Sequence, residues 1–289
     1  MKRLSLFFVF VLIGLGNAAL ADKPVTAPAE IKLLSDIAYK SGDKLSDYEK
    51  ERCKLDVYLP IGKSNFATVV WFHGGGLIEG SKESTKKPGI ASSLAQAGIA
   101  VINVNYRLSP KATYPAYIED SAAAVAWTLS HIAEYGGDVK KVFIGGHSAG
   151  GYLTLMVGLD AHYLKDLGVE LSSVAGLIPV SPQTMTHYTV REERGIGKYT
   201  ITADEAAPVF HVRKDTPPIL VLYADNDMAA RAEEGAYFVA IMKGAGNQKV
   251  TGKLIADRTH GSVGNNIKNE GDAARLALLN FIASVSAER

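Results

Sequence analysis

One short segment places a hydroxyl nucleophile at a position suited to catalysis. Gly146-His147-Ser148-Ala149-Gly150 lies between an apolar strand-like run and an apolar helix-like run. A serine with glycines two positions to either side is typical of a tight strand-to-helix turn, which lifts the hydroxyl to the carboxyl end of a sheet. The glycines are needed because the turn is strained and its neighbours pack closely. We therefore predict that Ser148 is a catalytic nucleophile.

A serine nucleophile needs a histidine base and an acid that orients the base. In chains with this turn the order is serine, acid, histidine. His260 is the best candidate for the base because it follows the last strand-like run, in a loop at a strand's carboxyl end. The other histidines after the serine lie at the end of the next helix, or in and beside a polar insertion: His162, His187 and His211.

Three aspartates compete for the role of the acid. Asp225 and Asp227 end the strand-like run before His260, and Asp257 lies close to His260 in the chain. Asp225 follows the strand at once and is suited to a structural role in the turn, whereas Asp227 lies deeper in the loop. We favour Asp227 over Asp225, with Asp257 third.

A glycine run follows an earlier strand. In His73-Gly74-Gly75-Gly76 the glycines allow backbone N–H groups to approach an oxygen, and such donors can hold the negative oxygen of a tetrahedral intermediate. We expect the His73 ring to brace this loop by hydrogen bonds. Neither a phosphate-binding P-loop nor a dinucleotide fingerprint is present, so nucleotide binding is disfavoured.

The elements around these motifs alternate between strand and helix. Continuous apolar strands between helices predict an α/β fold, a mostly parallel twisted sheet with helices on both faces. Strands are predicted at 55–59, 68–72, 99–104, 141–144, 174–180, 219–223 and 250–255. Helices are predicted at 90–97, 117–135, 151–159, 231–243 and 272–285.

A polar stretch at 182–208 interrupts the alternation. It follows a strand, so we expect it to lie above Ser148 as a short lid-like insertion. Its apolar side chains are expected to line a pocket, and its charged run 191–194 to face water or pair internally. The apolar side chains in question are Tyr188, Ile196, Tyr199 and Ile201.

Composition excludes several classes of protein. The chain has 289 residues, 31 Lys+Arg against 30 Asp+Glu, and 47% hydrophobic residues, which argues against disorder and against a basic nucleic-acid binder. The longest basic run, 82–87, is interrupted by other residues and is interpreted as a solvated loop. The single cysteine, Cys53, excludes an intramolecular disulfide and a multi-cysteine zinc site, and its strand-like surroundings predict a packed residue.

The first 21 residues have the order of a secretory signal peptide. Lys2 and Arg3 precede an apolar stretch that ends in small residues, with cleavage expected after Ala21. The apolar stretch is short for a membrane span, which needs ~20 residues. We therefore expect a secreted or periplasmic protein, one domain over 22–289, and no stable membrane insertion after cleavage.

Taken together, these motifs resemble the α/β-hydrolase serine carboxylesterases, in the branch of hormone-sensitive-lipase-like and related bacterial esterases. The resemblance covers residue 55 to the C-terminus. It also includes Leu55-Asp-Val-Tyr-Leu-Pro60, Asn105-Tyr-Arg-Leu108, Tyr114-Pro115, Asp120 and Pro217-Pro218. It implies that the backbone N–H groups of Gly75, Gly76 and Ala149 form the oxyanion hole. His147 stands where hormone-sensitive-lipase-like members usually carry an acidic residue.

The resulting expectation is a serine hydrolase that cleaves carboxylic esters of small to medium acyl chains through an acyl-enzyme, with Ser148, His260 and Asp227 as the triad. No metal or cofactor is implied, and the expected partner is a small-molecule ester. Two alternatives stay open: an arylformamidase-like amide hydrolase, and a catalytically silent binding protein with the hydrolase fold.

Overall fold

A sheet of eight strands forms the centre of the computed structural model, which describes residues 29–85 and 89–289. The strands are β1 (Ile31–Ala38), β2 (Lys54–Pro60), β3 (Phe66–Phe72), β4 (Ala100–Val104), β5 (Gly137–His147), β6 (Gly176–Val180), β7 (Ile219–Asn226) and β8 (Val250–Thr259). Their order across the sheet is β1-β2-β4-β3-β5-β6-β7-β8. β2 is antiparallel to both of its neighbours, and all pairs from β4 to β8 are parallel.

Helices cover both faces of this sheet. They are α1 (Asp47–Arg52), α2 (Ile90–Gln96), α3 (Ala116–His131), α4 (Ala149–Leu159), α5 (His162–Lys165), α6 (Tyr188–Glu193), α7 (Arg231–Gly244), α8 (His260–Asn265) and α9 (Ala273–Ala287). Buried side chains of α3, α4 and α7 form the core on one face, and those of α2 and α9 form the core on the other. Val70 and Val69, adjacent in β3, point to opposite cores, as strand geometry requires. The predicted mostly parallel α/β fold is confirmed.

The register of the parallel strands brings the predicted site residues to one edge. Phe72 at the end of β3 pairs with Gly146, and His147 at the end of β5 pairs with Val180 at the end of β6. Asn226 at the end of β7 pairs with Thr259 at the end of β8. Because parallel strands end on the same side, the loops after β3, β5, β6, β7 and β8 meet there.

Two predictions from composition have different outcomes. Cys53 is 2% exposed, as predicted, and burial, aided by the charge of Asp120, raises the pKa of its thiol to about 12. The interpretation of 82–87 as a solvated loop is wrong for Lys82, which is 1% exposed. Its ammonium lies 2.8 Å from carboxylates of both Asp36 and Asp56, so burial of the charge is compensated by ion pairs.

The predicted signal peptide over 1–21 lies outside the described residues. Within 29–85 and 89–289, no helix is long and apolar enough to cross a membrane.

A buried ion cluster secures the turn after β4. Asp120 in α3 is fully buried. Its carboxylate accepts two hydrogen bonds from the Arg107 guanidinium, at 2.8 and 2.7 Å, and one from the Arg107 backbone N–H, at 2.9 Å. Lys40 also donates to Asp120. One carboxylate thus fixes the chain at 107, one residue after Tyr106, whose ring reaches the functional edge of the sheet.

Replacing this carboxylate is expected to destabilise the protein strongly. Asp120→Asn should lower the free energy of unfolding by about 3 kcal/mol, because Arg107 and Lys40 would be left without their buried counter-charge. Glu119→Gln is the matched control, since Glu119 is its neighbour in α3 and is 54% exposed. Chemical denaturation should show a change of less than about 0.5 kcal/mol for the control. Equal effects of the two substitutions would contradict the assignment.

Candidate active site

The turn that carries Ser148 is strained, as the sequence predicts. Ser148 has φ 58° and ψ −116°, a left-handed conformation that costs a non-glycine residue about 1–3 kcal/mol. Close packing explains the two glycines that flank it. A Cβ at Gly150 would lie 2.1 Å from the Phe72 carbonyl oxygen, and one at Gly146 would lie 2.5 Å from the Gly150 backbone. The strand β5, the turn and α4 therefore hold the hydroxyl at the end of the sheet.

The structure brings the three predicted triad residues together. The Ser148 Oγ lies 2.8 Å from the His260 Nε2, and the His260 Nδ1 lies 2.6 Å from the Asp227 Oδ1. A neutral imidazole in this setting carries its hydrogen on Nδ1 and presents a free electron pair on Nε2 to the hydroxyl. This is the arrangement in which a serine hydroxyl can pass its proton to a base.

Asp227 is held in its ionised form. Burial raises the pKa of its carboxyl group, but hydrogen bonds from His260, Ser181 and the Met228 N–H outweigh burial and lower the pKa to about 2. The Ser181 hydroxyl lies 2.5 Å from Oδ2, and the Met228 nitrogen lies 2.8 Å from Oδ1. The negative charge needed to orient and stabilise a protonated His260 is thus present throughout the neutral pH range.

The competing aspartate has a structural role. Asp225 is exposed and accepts the backbone N–H groups of Asp257 and Arg258, at 2.8 and 2.9 Å. These bonds lower the pKa of its carboxyl group and tie the end of β7 to the end of β8. Asp257 contributes its backbone to that contact, at a positive φ of 56°. Neither of these carboxylates makes the contact with His260 that Asp227 makes.

Hydrogen bonds orient the N–H groups of the glycine loop. The His73 Nδ1 lies 2.6 Å from the Gly74 carbonyl oxygen, and the Gly75 carbonyl accepts the N–H groups of Ile78 and Glu79 at 3.1 and 3.0 Å. In a trans peptide the N–H points opposite to the carbonyl. The Gly75 and Gly76 N–H groups therefore point away from the groups that bind the Gly74 and Gly75 carbonyls. Within the described residues, neither of these two N–H groups donates to another group.

Ala149, the third predicted donor, is the first residue of α4, where backbone N–H groups have no intrahelical acceptor. The N-terminus of this helix also carries a partial positive charge that suits an oxyanion.

His73 braces the loop as expected. Its ring stacks on Tyr106 at 4.3 Å between centroids, and the Tyr106 hydroxyl donates to the His73 carbonyl oxygen at 2.7 Å. Burial lowers the pKa of His73 to about 3, so the ring is neutral and donates through Nδ1 to Gly74. His73 is thus a support of the loop and not a base.

The insertion at 182–208 is more ordered and more buried than its composition suggests. It contains α6, whose Thr189 hydroxyl donates to the Gly76 carbonyl. Tyr188 reaches the same glycine, because a Cβ at Gly76 would lie 1.8 Å from the Tyr188 hydroxyl oxygen. The segment therefore packs directly on the glycine loop.

Several expectations for this insertion are wrong. Tyr199 and Ile201 are 90% and 84% exposed and line no pocket. Arg191 is 6% exposed and donates to the Lys198 carbonyl. Arg194 forms ion pairs with Asp204 and Glu205, which lie outside the charged run 191–194, at 2.8 Å each. These arginines bond to a backbone carbonyl and to carboxylates outside the charged run, and apolar periodicity does not reveal such contacts.

The remaining histidines lie elsewhere. His187 is buried and accepts the Thr189 N–H at the start of α6, and both His162 and His211 lie beside Asp160. Among residues 29–85 and 89–289, no cluster of three or more His, Cys, Asp or Glu side chains could hold a metal ion.

Sequence reasoning missed three supporting residues: Ser181, Thr189 and Tyr106. Ser181 lies directly after β6, next to β7 in the sheet, so strand order was the one signal for its contact with Asp227. Thr189 and Tyr106 lie in loops or short helices without a pattern that predicts their partners.

Comparison with known proteins identifies a family and several relatives of this chain. The family model described as BD-FAE matches residues 55–242. Esterase LipC of Mycobacterium tuberculosis is 25% identical over 209 residues, which is 66% of this chain and 50% of that protein. Carboxylesterase NlhH of the same organism is 32% identical over 150 residues, 52% of this chain and 43% of that protein. The chain thus spans about half the length of these curated relatives.

Solved structures share the whole architecture. A truncated form of a carbohydrate esterase from gut microbiota superposes with a TM-score of 0.72 at 23% identity, covering 90% of this chain and 98% of that one. Esterase B from Lactobacillus rhamnosis gives a TM-score of 0.74 at 19% identity, covering 93% of this chain and 91% of that one. At such identities the likeness establishes the fold, which is the α/β-hydrolase fold. With the family model matching well over half of its length, the chain belongs to the BD-FAE family.

Proposed function

We propose that this protein is a serine esterase that cleaves carboxylic esters of small to medium acyl chains through an acyl-enzyme. The observation that carries the proposal is the Ser148–His260–Asp227 chain of hydrogen bonds, together with the N–H groups of Gly75 and Gly76, which donate to no other group among residues 29–85 and 89–289. The names of the relatives, which are esterases and carboxylesterases, support an ester over an amide substrate.

In the first step His260 accepts the proton of Ser148 through Nε2 while Oγ attacks the ester carbonyl carbon. The carbonyl oxygen gains negative charge and is stabilised by the N–H groups of Gly75, Gly76 and Ala149, a contribution of about 3 kcal/mol per donor. Asp227 stabilises the imidazolium. His260 then protonates the leaving alkoxide, which departs as the alcohol and leaves the acyl group on Ser148.

In the second step water replaces the alcohol. His260 removes a proton from the water, which attacks the acyl carbon, and a second oxyanion forms in the same place. Collapse of this intermediate releases the carboxylic acid and returns the proton to Ser148. The triad therefore ends in its starting state, and no other group is consumed.

The activity and the identity of the acid are tested with p-nitrophenyl acetate. The wild-type protein should release p-nitrophenol, and Asp227→Asn should lower kcat by roughly 10⁴-fold because it favours the wrong tautomer of His260. Asp225→Asn is the matched control and should retain most of the activity, since Asp225 holds only backbone groups of the neighbouring strand. If Asp225→Asn is the more damaging change, the acid has been misassigned.

The contact between α6 and the glycine loop suggests a determinant of substrate size. We propose that Tyr188 limits the space next to the oxyanion hole, since its hydroxyl lies against Gly76. Tyr188→Ala should raise kcat/KM for p-nitrophenyl octanoate relative to the acetate by about tenfold. Tyr199→Ala, in the exposed part of the same insertion, should leave the ratio unchanged. A ratio that is equally unaffected in both variants would exclude this role for α6.

We also propose export, on the strength of residues 1–21 alone. Expression of the full chain in a Gram-negative host should yield an active periplasmic protein whose N-terminal sequence begins at Asp22. An active protein that keeps Met1 in the cytoplasm would rule export out.

A further inference from the structure

His147, the residue before the proposed nucleophile, contacts the proposed base. It is the last residue of β5, and its ring Nε2 lies 2.7 Å from the backbone carbonyl oxygen of His260. A carbonyl oxygen can only accept, so Nε2 of His147 carries the hydrogen. Two consecutive residues therefore hold His260: Ser148 meets its side chain at 2.8 Å, and His147 holds its backbone.

The His147 ring is half-buried between the loops of the candidate active site. Its centroid lies 4.8 Å from that of the His260 ring. A Cβ at Gly264 in α8 would lie 2.6 Å from the His147 Cγ, and one at Gly74 would lie 3.5 Å from its Nδ1. The ring thus lies between the glycine loop and α8, the helix that begins at His260.

The surroundings of this ring keep it neutral. Burial, with a smaller contribution from the neighbouring His260, lowers the pKa of His147 to about 4. The hydrogen bond to the His260 carbonyl and the charge of Asp227 act in the opposite direction, and Arg231 at the start of α7 again lowers the pKa. A neutral ring adds no charge next to His260, whereas the acidic residue that relatives of the resembled branch usually carry here would favour the imidazolium.

We propose that His147 is a positioning residue, a neutral Nε2–H donor that fixes the His260 backbone carbonyl and so holds the imidazole within hydrogen-bond reach of Ser148 and Asp227. The proposal rests on the proposed function of these three residues. The placement of the His260 ring matters because an error of about 1 Å in the position of a base can lower a rate about 100-fold.

Three substitutions of His147 separate the effects of its hydrogen-bond donor, its shape and its charge. His147→Gln keeps a donor, because a glutamine amide nitrogen can occupy the position of the imidazole Nε2. His147→Met has similar length but no donor, and His147→Glu matches glutamine in shape but carries a negative charge. Folding of each variant is checked by circular dichroism and thermal unfolding.

We expect kcat for p-nitrophenyl acetate to fall 10- to 100-fold in His147→Met, with KM within about threefold of the wild type. His147→Gln should retain kcat within about fivefold. His147→Glu should move the acid limb of the kcat/KM profile to higher pH by about one unit, since a carboxylate beside His260 favours its protonated form. His147→Met should leave the position of that limb unchanged.

Two results would overturn the proposal: a folded His147→Met variant with wild-type kcat, or a His147→Gln variant as impaired as His147→Met. Nitrogen-15 NMR of the histidine rings gives a readout independent of turnover. It should show an Nε2–H tautomer for His147 that does not titrate between pH 5 and 8, and a titrating ring would contradict the proposal. Failure of the wild type to hydrolyse any ester would instead contradict the proposed function, with the NMR result still deciding the state of His147.

Discussion

The left-handed backbone of Ser148 is the constraint on which the rest of the site depends. A serine at φ 58° is stable only if the surrounding structure enforces it. The enforcement comes from parallel pairing on both sides of β5, from the Ser148 N–H bonded to the Val180 carbonyl at 2.8 Å, and from α4, which starts at the next residue. Glycines at 146 and 150 are required because α4 approaches the end of β3 too closely for any side chain.

The glycine loop at 74–76 depends on a second series of contacts, which begins far from Ser148. The buried Asp120 carboxylate fixes Arg107, and the adjacent Tyr106 stacks on His73 and bonds its carbonyl. His73 in turn bonds the Gly74 carbonyl and thereby orients the Gly75 N–H. Arg107 and Asp120, which belong to the motifs of the resemblance, thus support the geometry of the proposed oxyanion hole through packing and electrostatics.

The sequence predicted the parts of the fold that carry a strong periodic signal. Strands β3, β4 and β6 are almost entirely apolar and buried because both faces of the sheet are covered, so their positions were found. β1 was missed because it is a half-exposed edge strand, and its register shifts between Leu34 and Ile37. The start of β5 was placed at 141 instead of Gly137, because its first residues are polar and partly exposed.

The candidate site likewise has a part that the sequence predicted and a part that it did not. Chain order and strand ends predicted the meeting of Ser148, Asp227 and His260, since a parallel sheet gathers its carboxyl ends at one edge. The supports around them were not predicted. Ser181 bonds Asp227, Thr189 bonds the Gly76 carbonyl, and His147 bonds the His260 carbonyl, all through single polar contacts between residues distant in sequence. Such contacts leave no periodic pattern in the chain.

The central claim is that Ser148 carries the acyl group during turnover, and trapping that intermediate tests it most directly. p-Nitrophenyl trimethylacetate is suited to this because its crowded acyl group slows the attack of water on the acyl-enzyme. The wild-type protein, quenched in acid during the reaction and analysed by peptide mass mapping, should carry one trimethylacetyl group, on Ser148, and Ser148→Ala should carry none. Turnover with an unmodified Ser148, or an acyl group that persists in Ser148→Ala, would contradict the account.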